Sequence, residues 1–247
     1  MKIDVLTLFP EMFRPVMESS MLGRAVAGGI LEIDTTDIRD FSHDKHNKAD
    51  DYPFGGGGGM VMMADPIFGA MESVGAENKK VIYMSPRGKI LDREKIEELS
   101  GLSEMVILCG HYEVVDQRAR DYWNAEEISI GDYVLTGGEL PAMVLIDSVA
   151  RLLPGVLGNE NSALDESVYS GLLEHPQYTK PREYRGLNVP EVLTSGNHQL
   201  IDLWRLEHSL QLTKERRPDL FEKFLQEEHA FSKQERKILE EIMKIEE

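Results

Sequence analysis

Three stretches of the sequence set glycine among polar side chains directly after short apolar runs. They are Ser85-Pro86-Arg87-Gly88, Gly110-His111-Tyr112-Glu113, and the longer Gly131-Asp132-Tyr133-Val134-Leu135-Thr136-Gly137-Gly138-Glu139. Glycine lets a backbone come close to a ligand, and open α/β sheets hold ligands outside the carboxyl ends of their strands. A turn also needs glycine, so one such loop says little. Three in one domain point to a small-molecule site built largely from main chain. On that reading a side chain at Gly137 abolishes ligand binding and leaves the fold intact.

Other residues carry chemical potential with less support from their spacing. His43, Asp44, His46, Asp50 and Asp51 follow no structural zinc spacing and have no cysteine among them, so a solvated loop is the better reading. The five glycines at 55–59 come next, suited to a loop that folds over a ligand or RNA, or to plain disorder. Arg151 ends an apolar helical stretch, where a cation is favoured by the helix dipole alone. Asp165 and Glu166 stand in a polar, unpatterned stretch and read as solvent-facing acids. No G-x-G-x-x-G follows the first apolar run, and Gly88-Lys89 is followed by Ile90, which rules out a P-loop.

The elements that must position these loops alternate in type. Short apolar runs at Ile3–Leu8, Leu31–Ile38, Val81–Met84, Met105–Cys109 and Ile128–Ile130 read as strands. Between them lie helical patterns. Asp92 is placed as an N-cap, with Leu91 and Ile96 as a hydrophobic staple. Leu140, Met143, Val144, Val149 and Ala150 keep helical spacing. This alternation predicts an α/β domain with a largely parallel sheet. From about residue 197 the chain reads as helical. One stripe is Leu200, Leu203, Trp204 and Leu210; another is Leu220, Phe221, Phe224 and Leu225. Ser232 and Glu235 form a capping box ahead of Ile238, Ile242 and Ile245. The expected organisation is a domain at 1–158, a linker at 159–170 and a small helical domain at 171–247.

The chain has 247 residues, 41% hydrophobic and 29% charged, which is ordinary for a globular protein. Its apolar runs are too short for a membrane span, its start lacks a signal-peptide pattern, and one cysteine permits no intrachain disulfide. The cytoplasm is the expected compartment. Net charge is −17. Residues 171–247 hold 12 Lys and Arg against 15 Asp and Glu, a balance of −3, which leaves 15 against 29, or −14, for the first 170. Any nucleic-acid contact must therefore use local basic clusters on an acidic body. The candidates are Lys180, Arg182 and Arg185, then Lys214, Arg216 and Arg217.

Eight ordered motifs carry a resemblance. SIGDYVLTGGELPAM at 129–143 resembles the cofactor loop of the bacterial tRNA (guanine-N1)-methyltransferase family. LTLFPEMF at 6–13, GGGGGMVM at 55–62, YMSPRG at 83–88, LCGHYEVVDQR at 108–118, RLLPGVLGN at 151–159, GLLEHPQYTKP at 171–181 and SGNH at 195–198 are similar to the same family. The resemblance implies a SPOUT-type fold with a deep trefoil knot at about 83–140, a homodimer with active sites shared between subunits, and tRNA as substrate. It implies methyl transfer from S-adenosylmethionine to N1 of the guanosine 3′ of the anticodon, position 37. Cofactor contacts then fall on Tyr83, Ser85, Pro86, Gly110, Tyr112, Glu113, Ile130, Gly131, Tyr133, Leu135, Gly137 and Gly138. Arg151 takes the role of stabilising charge on O6, and Glu166 or Asp165 that of general base. Gly58, Ser195, His198, Lys214, Arg216 and Arg217 are the substrate-binding candidates. A magnesium requirement is implied without assignable ligands. Two departures stand out: Glu166-Ser167 where the family usually has aspartate and serine, and Gly58 where many relatives have proline. The alternatives are a related knotted methyltransferase acting on another RNA site and a non-catalytic tRNA-binding protein.

Overall fold

The first strand, β1 (Lys2–Thr7), is buried from Ile3 onward, as expected of a strand covered on both faces. The computed structural model describes residues 1–157 and 171–244. β1 is joined by β2 (Glu32–Asp37), β3 (Lys80–Ile90), β4 (Glu104–Cys109) and β5 (Glu126–Ser129). They form one five-stranded sheet in the order β2-β1-β4-β3-β5, with every pairing parallel. The helices between them are α1 (Ser20–Ala27), α2 (Ala64–Ser73), α3 (Arg93–Ser100), α4 (Gln117–Tyr122) and α5 (Glu139–Ala150).

Alternation along each strand divides the core into two layers. Ile82, Met84, Met105, Ile107 and Cys109 pack with residues of α1, α3 and α5. Their neighbours Val81, Tyr83, Val106 and Leu108 pack with residues of α2 and α4. Asp4 is an exception inside β1. It is 3% exposed and accepts a hydrogen bond from Lys79 Nζ at 2.8 Å. That bond, helped by Glu104, raises Lys79 above its ordinary value.

Local signals read from the sequence recur in the structure. Asp92 caps α3, its carboxylate accepting from Lys95 N at 2.9 Å. Three features differ. β3 runs on to Ile90, because residues 85–88 leave the ladder and the strand then rejoins β5: both Met84 and Lys89 pair with Ile128. In α5 the buried face is Ala142, Leu145, Ile146, Val149 and Ala150, while Leu140 and Val144 face solvent at 51% and 45% exposure. Both keep the helical spacing read from the sequence, but they lie outside the buried stripe. A small sheet not foreseen from the sequence joins Asp50–Asp51, Val61–Met62 and Val114–Val115.

The chain divides into two compact units, Met1–Glu160 and Asn161–Glu247. In the second, α6 (His198–Arg216), α7 (Pro218–Gln226) and α8 (Lys233–Lys244) gather around Leu210, Phe221, Phe224 and Ile242. Leu200 and Leu225, assigned to apolar stripes, are exposed. Asn197 caps α6, and Ser232 and Glu235 form the capping box ahead of α8. The linker at 159–170 and Ile245 lie outside the described residues. Among those described, no helix is long and apolar enough to cross a membrane.

Candidate functional site

The sheet delivers its three glycine loops to one place. Residues from the 83–86, 110–113 and 129–138 segments line a cavity of about 620 Å³ of empty space, partly open to solvent, together with Pro141. All twelve cofactor candidates named above are among the lining residues. Met84, His111, Ser129, Val134, Thr136 and Pro141 also line it. Each is a sequence neighbour of a named candidate or, for Pro141, the next turn of α5, so loop membership was the available signal.

The cavity is held by main chain. Gly138 N donates to Gly110 O at 2.7 Å, and His111 bridges to Gly137. Those contacts fix why glycine is required. A β-carbon at Gly138 would sit 2.9 Å from Cys109 Cα and Gly110 N. One at Gly137 would overlap the Glu139 carboxylate and approach the His111 ring at 2.7 Å. Backbone packing thus excludes a side chain at Gly138, whereas at Gly137 the atoms met are the ends of the Glu139 and His111 side chains.

Two residues carry special backbone. Gly131 has φ of 150°, and Tyr112 has φ of 60°, a left-handed conformation uncommon for a bulky residue and found where structure holds a site in strain. Burial and the neighbouring Asp50 carboxylate push the Tyr112 phenol up, and burial does the same for Tyr83. Glu113 N donates to Met60 O at 3.1 Å, and a β-carbon at Gly59 would run into the Glu113 side chain. The glycine loop at 55–59 thus meets the cavity wall through Glu113. Gly58 itself has nothing within 4 Å of where a β-carbon would stand.

Cys109 is wholly buried and lies behind the wall, where burial and the nearby Glu139 raise its thiol well above its ordinary value. Glu139, 2% exposed in the first turn of α5, accepts a hydrogen bond from Thr7 Oγ1 at 2.8 Å. A carboxylate there complements the positive end of the helix dipole.

None of the remaining described candidates lines this cavity. Arg151 is the C-cap of α5, half-buried, its N–H donating to Asp147 O, and it does not line the cavity. Asp165 and Glu166 lie outside the described residues. In the second unit Ser195 and His198 are exposed at the start of α6. Lys214 Nζ donates to Ile242 O at 2.8 Å, and Arg217 is paired with Asp219 at 2.7 Å. Lys180 and Arg182 instead line a groove with Tyr178 and Arg205. Among the described residues no group of three or more His, Cys, Asp or Glu is arranged to hold a metal, and His43 is paired with Asp65.

Comparison with known proteins adds a second kind of observation. A family model described as tRNA (Guanine-1)-methyltransferase TrmD matches residues 1–223. A protein of Ruminiclostridium cellulolyticum named tRNA (guanine-N(1)-)-methyltransferase is 58% identical over 226 residues, 90% of this chain and 97% of the relative. Proteins with the same name from Staphylococcus epidermidis and Alkaliphilus oremlandii are 52% and 53% identical, covering 99% and 98% of this chain and 98% of each relative.

Proposed function

The chain belongs to the tRNA (guanine-1)-methyltransferase family, and from that premise we infer that it methylates N1 of a guanine in tRNA with S-adenosylmethionine as donor. The observation that carries this reading is the convergence of all twelve cofactor candidates on one cavity. Its character fits such a donor: main-chain edges for a purine, apolar walls at Ile130, Leu135 and Pro141, and the Glu113 carboxylate for a cation. When bound, the donor supplies a methyl group activated by its sulfonium centre.

The protein's share of the reaction is positioning and proton removal. Guanine N1 is protonated at neutral pH and a poor nucleophile, so a carboxylate must accept its proton. We assign that role to Glu166, with Asp165 as the neighbouring candidate. Charge then grows on O6, and we assign Arg151 to stabilise it. The target is taken to be the guanosine at position 37, in a loop whose bases can be splayed out and read by their edges. Residues 171–247, joined through 159–170, are the proposed tRNA-binding domain, with Ser195, His198, Lys214, Arg216 and Arg217 as contacts and Gly58 on the covering loop. A knot at about 83–140 is part of the proposal on the family resemblance, and within that segment Gly138 N donates to Gly110 O at 2.7 Å. The working form is proposed as a homodimer with shared sites. The solvent-facing Leu140 and Val144, one turn apart on α5, favour a protein partner on that face. No ligand set is proposed for magnesium.

The test is transfer of labelled methyl from S-adenosylmethionine to an unmodified tRNA transcript, with a second transcript bearing adenosine at 37. Label should appear in 1-methylguanosine from the first transcript alone. Label at another position sinks the substrate assignment. In the same assay Arg151→Lys should lower turnover about tenfold or more with donor affinity retained, since a point charge does not replace a planar fork.

A further inference from the structure

The cavity has one lip that does not belong to the sheet ladder. Residues 85–88 bulge out of β3 between two pairings with the same residue, Ile128. An excursion of this kind lacks ladder hydrogen bonds, so its position depends on other contacts. Gly88 presses on β5 so closely that a β-carbon there would overlap the Glu127 carbonyl. The side chain of Glu127 then reaches along the excursion. Ser85 Oγ donates to Glu127 Oε2 at 2.7 Å, and Arg87 Nη2 donates to Oε1 at 3.1 Å.

Behind the excursion the same carboxylate is anchored. Arg120, only 5% exposed, donates from Nη1 to Glu127 Oε1 at 2.8 Å and from Nη2 to Gln117. Its guanidinium also lies 5.5 Å from the centre of the Tyr83 ring, which lines the cavity. Glu127 therefore connects a buried cation, the Tyr83 wall and the Ser85-Pro86 lip, without lining the cavity itself. Ser85 is 94% buried and has both roles of its hydroxyl in use, donating to Glu127 and accepting from Arg87 N at 3.2 Å.

We propose that Glu127 is a positioning residue for the methyl donor, clamping the 85–88 excursion so that Ser85 and Pro86 form a preset edge of the donor cavity. The proposal rests on the donor assignment above. Burial alone would raise the Glu127 carboxyl, but the hydrogen bonds from Arg87 and Ser85 and the charges of Arg87 and Arg120 outweigh it and hold it below its ordinary value. The clamp is thus charged at neutral pH, and charge-assisted hydrogen bonds are the stronger kind. A preset edge lowers the ordering cost of binding.

Glu127→Gln keeps the shape and removes the charge. Calorimetry with S-adenosylhomocysteine, a stand-in for the donor, should show Kd raised about tenfold. Turnover at saturating donor should stay within about twofold, because the clamp does not touch the reacting atoms. Ser85→Ala cuts the clamp from its other end and leaves the pair of the buried Arg120 with Glu127 intact. It should raise Kd comparably, and the double variant should add little beyond either single change. If Glu127→Gln does not fold, Ser85→Ala and the surface change Arg87→Ala carry the same comparison. Affinity unchanged within twofold in the folded variants, or fully additive losses, overturns the clamp and leaves Glu127 as a purely stabilising acid. If the unaltered protein itself fails to bind S-adenosylhomocysteine, it is the donor assignment that falls.

Discussion

At Gly138 the requirement for glycine is settled by backbone packed against backbone. A single methyl group would stand 2.9 Å from Cys109 Cα and Gly110 N, and neither can move without disturbing β4. Gly138→Ala should therefore lower stability by about 1–3 kcal/mol, the range for overpacked sites, as well as weakening donor binding. Chemical denaturation of the purified variant checks this. A variant as stable as its parent would restore the view that glycine serves the ligand alone. The glycine pattern made the three loops legible, while the individual donor candidates were implied by the family resemblance and not by the pattern. It could not separate a glycine facing a ligand from one facing its own chain, since both need the same absent β-carbon. Glu127 and Arg120 left no such trace. A charged residue at a strand position reads as solvent-facing until the excursion at 85–88 is seen to fold back over it.

Among the elements, helix ends were the most readable, because caps act within a few residues. Asp92 and the Ser232–Glu235 box make the bonds their spacing implies. Asp92→Ala should cost α3 about 1 kcal/mol, measurable as a lower urea midpoint with unchanged slope. No change would mean that water replaces the cap. Faces were less readable than ends. Leu140 and Val144 fall on the helical period with Ala150's neighbours, yet α5 buries the stripe through Leu145 and Ile146. An almost wholly apolar helix offers periodicity no contrast to work on. The 85–88 excursion was equally hidden. It shows only as a shift of register against β5, which is distant in sequence and leaves no period in β3.

For the whole molecule the dominant fact is charge. At −17 the chain repels itself at neutral pH, while particular carboxylates pull the other way. Glu126 would be raised by burial, but hydrogen bonds from Lys80 and Lys95 hold it below its ordinary value of 4.5, and Glu127 is held low in the same manner. A depressed folded-state pKa gives stability that is present above the unfolded value and is lost as pH falls through the folded one. The two effects separate by pH. From 7 toward about 5, relief of repulsion should hold or raise the denaturation midpoint. Below 4.5 it should fall as these acids take up protons. Added salt should help at pH 7, where the repulsion is exposed and screenable. A midpoint that keeps rising below pH 4 would show that the paired acids contribute little.

The buried Cys109 thiol has a practical consequence. It is the chain's one cysteine, and it sits at the end of β4, directly behind the main chain to which Gly138 is bonded. A thiol-reactive dye in native buffer reaches it only when the layer it shares with α1, α3 and α5, or the loop returning across β4, opens. Its labelling rate then works as a stopwatch for that opening, read at one known position and without engineered reporters. An occupant of the cavity should slow the clock, in proportion to how firmly it holds the two loops shut.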